Sequence, residues 1–155
     1  MRLAAHGIAL ELPRGWHGRI YRRPGAQPTV HAANFALPGE DGDFGSGATE
    51  VMPDGGAFLA LKEYEADARL VPGQGLFAPS SIPLPLDPRQ FGSRRLQVGR
   101  RGQAGMQHFF TSSGRPFCLY AVVKVASAGA HAAAQPDRVR TLSHVLSTLA
   151  IHRLP

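Results

Sequence analysis

Cysteine, lysine and long apolar runs are all scarce in this chain, and each scarcity excludes something. One cysteine, Cys118, rules out an intramolecular disulfide and fits a reducing compartment. No apolar stretch approaches the roughly 20 residues that a membrane-spanning helix needs. The first residues, MRLAAHGIALEL, do not make a secretory signal, because Glu11 interrupts a very short apolar run and no cleavage site follows. A cytoplasmic protein with no membrane partner is the expectation. Lysine is nearly absent, with 2 Lys against 15 Arg, and the net charge is +6. A basic balance invites nucleic acid as a partner. The arginines, however, are dispersed as the pairs Arg22-Arg23, Arg94-Arg95 and Arg100-Arg101, with no continuous basic run. An Arg excess in a chain rich in Ala, Gly and Pro is also what a GC-rich coding sequence produces.

What is present is enough apolar residue for a core: 43% hydrophobic in 155 residues, which predicts one domain spanning 1–155. The 18 Gly and 13 Pro gather between apolar runs, so short elements and many turns are expected rather than a helical bundle. The pattern predicts an α+β fold: an antiparallel sheet of about six or seven strands that opens with a hairpin, and a C-terminal amphipathic helix packed on it.

The hairpin is placed at Pro13-Arg14-Gly15, with Gly15 supplying a positive φ. Leu12 then faces Trp16, Leu10 faces Gly18 and Ile8 faces Ile20, which makes one apolar face. Thr29–Leu37 is apolar on both parities and predicts an interior strand covered on both sides. Residues 38–56 form a Gly-rich acidic loop, long enough to suggest a functional role. Ala57–Tyr64, Arg95–Val98, Met106–Ser112 and Phe117–Val125 follow as strands, with hairpin-like connections at Gly99–Gly105 and Ser113–Pro116. Glu65–Leu70 has room for one or two helical turns, and Pro79–Pro88 is expected to run extended over the surface. A small-residue linker, Ala126–Gln135, leads to a helix begun by Pro136 and Asp137, with Val139, Leu142, Val145, Leu146 and Leu149 as its core stripe. Residues 150–154 continue as an extended tail.

The run Gly7-Ile8-Ala9-Leu10-Glu11-Leu12-Pro13-Arg14-Gly15-Trp16 resembles the opening of PsbP-like domains, which are small α/β/α sandwiches. Val145–Ile151 looks like the final helix and exit strand common in that superfamily. The two ends together cover about a ninth of the chain, and the proline-rich middle departs from the pattern. What the resemblance implies is a fold and a non-catalytic accessory or binding role, with no functional residue carried over.

Candidate chemistry is sparse. Seven histidines show no HExxH, HxH or Cys/His ligand spacing, so no metal site is predicted. Counting a calcium loop from Asp41 puts Gly45 at position 5, Ser46 at 6 and Met52 at 12, without the bidentate Glu. The Gly42, Gly45 and Gly47 series lacks the Lys-Ser/Thr of a phosphate loop. Cys118 lies in an apolar strand, where a thiol is inert. No catalytic residue and no cofactor are predicted. The polar face of the hairpin would bring Glu11, His17, Arg19 and Tyr21 together, about 5 Å between opposite pairs. His31 and His108 lie on strands and would approach each other if those strands are neighbours. These six residues are the candidate binding set. They are equally what solvated cross-strand pairs and hydrogen-bonded core histidines provide.

The leading expectation is a non-catalytic binding or accessory module acting on another protein. The alternative is a small-ligand binder or enzyme with a pocket beside the 38–56 loop that includes His31 or His108. A further alternative is nucleic-acid binding through the Arg pairs, with Tyr21 and Phe110 available for stacking.

Overall fold

The computed structural model describes residues 1–125 and 136–155. The segment read as a small-residue linker, 126–135, lies outside the described residues. The fold is α+β, with two antiparallel sheets of three and five strands and a C-terminal helix packed on them. No helix among the described residues is long and apolar enough to cross a membrane.

The chain opens with a hairpin, but not the expected one. β1 (Arg2–Ala5) pairs with β2 (Ile8–Glu11) in the register Ala5 to Ile8, across a two-residue turn, His6-Gly7. Both turn residues have positive φ, 52° and 75°, the conformation that matches the twist of paired strands. The predicted pairing of β2 with β3 (His17–Tyr21) does not form, because both edges of β2 are occupied by β1 and β8 (Ala150–Ile151). The Pro13–Gly15 turn exists, with Trp16 N donating to the Pro13 carbonyl at 3.1 Å, and carries the chain from the small sheet to the large one. β1 lies against β3 instead, with Leu12, just after β2, beside it. Leu3 and Leu12 rest on Gly18, where a Cβ would fall 2.7 and 2.6 Å from their Cδ1 atoms.

The large sheet has the order β3-β4-β5-β7-β6, with β4 Thr29–Ala33, β5 Ala57–Glu63, β6 Gln103–Ser112 and β7 Arg115–Lys124. Its three inner strands are buried on both parities because both faces are covered; the sequence pattern predicts this for β4 and β7, whereas β5 reads as a strand of mixed burial. Val30, Leu59, Leu61, Leu119 and Ala121 join the main core with Ile8 and Leu10 of the small sheet and the stripe of α2 (Pro136–Ser147). Ala33, Phe58, Ala60, Tyr120 and Val122 form a second core on the opposite face, under the segment that carries α1 (Ser46–Glu50).

Four expectations for the middle of the chain are corrected. Residues 65–70 make no helix, and 95–98 are not a strand; single 3-10 turns occur at Gly75–Phe77, Pro88–Gln90 and Ser93–Arg95. β6 is one long strand, so the hairpin-like connection at 99–105 is absent, while the one at 113–116 closes β6 on β7. The stretch 79–87 has no regular element; it starts at the outer edge of β6 and reaches α2, where Leu86 is buried in the main core and its N donates to Ser143 Oγ at 2.9 Å, so it does not run over the surface throughout as expected. At the β6 edge Thr111 N donates to the Pro79 carbonyl at 2.8 Å. Prolines suit this position, since an edge cover needs few amide donors of its own.

Candidate functional site

β3 and β4 are paired so that Arg19 lies opposite His31 and Tyr21 opposite Thr29. Directly opposed residues share a face, so Arg19, Tyr21 and His31 all project to the side covered by residues 34–56. The segment from Gly39 to Asp41 crosses above them, and between the two lies a cavity of about 610 Å³. That size falls in the range of small-molecule sites. A neighbouring hollow of about 470 Å³, walled by Trp16, His17 and Leu37, shares Arg19 and Gly39 with it. Arg19 stands at the junction, its Nη1 donating to the Gly39 carbonyl at 2.8 Å and its Nη2 to the Pro38 carbonyl.

His31 is the most enclosed member, 1% exposed. Its Nε2 lies 2.8 Å from the Asp43 carbonyl, and a carbonyl only accepts, so Nε2 carries the proton. Burial pushes the imidazole pKa below its ordinary 6.5, against the opposing pull of that hydrogen bond and of the Asp41 carboxylate. The ring is therefore neutral near pH 7, and its Nδ1 is a buried lone pair without a partner among the described residues. An unmet buried acceptor costs about 1–3 kcal/mol. Tyr21 and Phe58 hold the ring edge-on, with centroids at 5.2 and 5.4 Å.

Asp43 ties the cavity wall together. Its carboxylate accepts from Lys62 Nζ at 2.7 Å, from Tyr21 Oη at 3.1 Å and from Arg23. Burial alone would raise its pKa, but the hydrogen bond and charge of Lys62, with Tyr21 and Arg23 behind them, hold it below 3.8. Burial and the adjacent Asp43 charge together raise the Tyr21 pKa, so its hydroxyl remains a donor. Asp41 is occupied in another way. Its Oδ1 accepts from Gly42 N and Gly47 N at 2.8 and 2.7 Å, and its Oδ2 from Ala48 N at 2.8 Å. The short helix α1 thus takes its N-terminal cap from Asp41, several residues upstream, and the lip of the cavity is fixed to it.

Of the six predicted residues, the structure brings together Arg19, Tyr21 and His31. His17 shares their face but is exposed and lines the adjoining hollow. Glu11 belongs to the other sheet, where it faces Arg2 with 3.7 Å between their charged atoms, so the four-residue polar face is not formed. His108 cannot approach His31, because β5 and β7 lie between their strands; its Nε2 is 2.9 Å from the Ser81 carbonyl. Phe110 is 2% exposed and cannot stack on a base. At least one arginine of each pair binds the chain itself: Arg22 to the Ala26 carbonyl at 2.9 Å and Arg23 to Asp43, Arg95 to the Gln90 carbonyl at 2.7 Å, and Arg100 to the Ser46 carbonyl at 3.0 Å.

Sequence reasoning missed Arg23, Asp43 and Lys62. Their signal was there in part: Lys62 is a lone cation in an apolar strand, which demands a counter-ion. Cys118 is buried as expected, its pKa pushed up to about 12 by that burial. No group of three or more His, Cys, Asp or Glu among the described residues is placed to hold a metal ion. No family model, no curated protein and no solved structure matches this chain.

Proposed function

We propose that the chain is a binding protein that takes a small polar ligand in the cavity between β3–β4 and the 38–56 segment. The observation that carries this reading is the wall itself. Arg19, Tyr21 and a neutral His31 come from two strands to line one concave space, and the Asp43 network holds Tyr21 and His31 in place. A few fixed polar groups in a cavity of several hundred cubic ångströms is the usual makeup of a small-molecule site. The reading keeps the non-catalytic role first expected and replaces a partner protein with a small ligand. The likeness of residues 7–16 to the opening of PsbP-like domains supports binding over catalysis.

A thermal-shift screen tests it, using amino acids, carboxylic acids, amines, sugar phosphates and nucleotides. A ligand at a hundred times its Kd should raise the melting temperature by roughly 5–10 °C. Arg19→Met should abolish that rise; its own unliganded melting temperature should fall by roughly a few degrees, because the bonds to the Pro38 and Gly39 carbonyls are lost, and the ligand shift is read from that baseline. No rise with any class, or a rise that Arg19→Met leaves intact, would overturn the reading.

A further inference from the structure

The charges around the cavity, and their existing partners, narrow the ligand further. Six charged side chains line it or brace its wall: Arg19, Arg23 and Lys62 against Glu40, Asp41 and Asp43. Four of these are spent. Arg23 and Lys62 both bind the Asp43 carboxylate, and Asp41 has three backbone N–H groups on its two oxygens. Arg19 and Glu40 are different. The Arg19 guanidinium meets only the neutral carbonyls of Pro38 and Gly39, which orient it and leave its charge uncompensated. Glu40 follows Gly39 directly in the chain, is exposed, and makes no ion pair among the described residues, with Arg19 or any other cation. One open positive charge and one open negative charge therefore border the same space without pairing.

A multiply charged anion such as a phosphate ester fits this poorly. It would satisfy Arg19 and meet repulsion from Glu40, the carboxylate of the three that has no partner among the described residues. A simple amine would have the converse difficulty. A ligand with both signs on adjacent atoms answers both open charges at once.

We propose that the cavity binds a zwitterion of the α-amino acid type, with its carboxylate on Arg19 and its ammonium toward Glu40. This rests on the cavity being a ligand site, as argued above. Calorimetric titration tests it, with the twenty free amino acids, their N-acetyl derivatives and their methyl esters, and with inorganic phosphate, glucose 6-phosphate and putrescine as charge controls. At least one free amino acid should bind, and masking either end of that compound should weaken it about tenfold or more, as expected for losing a charge-assisted hydrogen bond. Glu40→Gln should weaken the free amino acid but not its N-acetyl derivative, and Arg19→Lys should weaken it but not its methyl ester. Glu40 is exposed, so its variant reports on binding without endangering the fold.

Binding of phosphate, the sugar phosphate or the diamine in preference would overturn the zwitterion while leaving a ligand site in place. Equal binding of free and masked amino acids would do the same. No binding by any probe would overturn both.

Discussion

At the scale of single residues, His31 shows how a strand position becomes a site. It is surrounded by Tyr21 and Asp43 from the cavity side, by Phe58 from the second core, and by Arg19 and Asp41 at the rim. Its pKa is lowered in the folded protein, so between 6.5 and that lower value the unfolded chain takes up a proton that the folded chain refuses. Stability from this source is fully present above pH 6.5 and is lost as pH falls through the folded value. The slope is at most about 1.4 kcal/mol per pH unit, the limit for one proton. Urea unfolding of wild type and His31→Gln between pH 7.5 and 5 should show a shallower fall in the variant. Parallel curves would mean that His31 is not held neutral. Asp43 acts in a separate, more acidic window: its lowered pKa contributes stability that disappears only as pH falls below 3.8.

At the scale of elements, the clearest sequence signals came from burial on both faces. Thr29–Ala33 and Arg115–Lys124 could be read because both parities are apolar, and α2 because Val139, Leu142, Val145 and Leu146 recur at helical spacing. The partner of β2 could not be read. Alternation at Ile8, Leu10 and Leu12 is satisfied equally by a hairpin neighbour and by a sheet packed face to face, and the true turn has His6 where Asn or Asp would have announced it. The site was half legible for a related reason. Arg19 and Tyr21 alternate on one strand and so share a face wherever that strand lies, whereas Asp43 and Glu40 arrive from an irregular segment with no period. The element that fixes that segment is α1, through Asp41. Asp41→Ala should destabilise by about 1–2 kcal/mol, as for the loss of a helix cap. It should also speed amide exchange at Gly47 and Ala48. Asp41→Asn, which keeps one acceptor oxygen, should lose roughly half as much. An Ala variant as stable as wild type would show that the lip is held by the Gln103 bond to the Thr49 carbonyl, 2.6 Å, instead.

At the scale of the whole molecule, the question is what keeps two sheets in one fixed relation, since the cavity wall belongs to the large sheet and the first core layer to the small one. Apolar contact supplies most of the attraction but little direction. Direction comes from Arg115 at the start of β7, whose side chain is 7% exposed. Its Nε and Nη2 bind the Glu63 carboxylate at 3.1 and 2.6 Å. Its Nη1 and Nη2 also reach across to the carbonyls of His152 and His6, each at 2.9 Å. Those carbonyls belong to the β1–β2 turn and to the residue after β8, which meet at one end of the small sheet (His152 N donates to the Gly7 carbonyl at 2.8 Å), so one guanidinium ties that end to the large sheet. Gly7 is part of the same fit, since a Cβ there would lie 2.7 Å from the arginine. Replacing Arg115 by Met leaves Glu63, 6% exposed, as a buried charge with no cation. The expected cost is about 3–5 kcal/mol by chemical denaturation. The double variant Arg115→Met with Glu63→Leu should recover only part of this. It removes the stranded carboxylate, but the two backbone carbonyls still lack a donor. Full recovery would mean that the clamp contributes only its own charge balance. Partial recovery, with faster exchange at Ala9 and Leu10 than in the large sheet, would identify Arg115 as the residue that sets one sheet against the other.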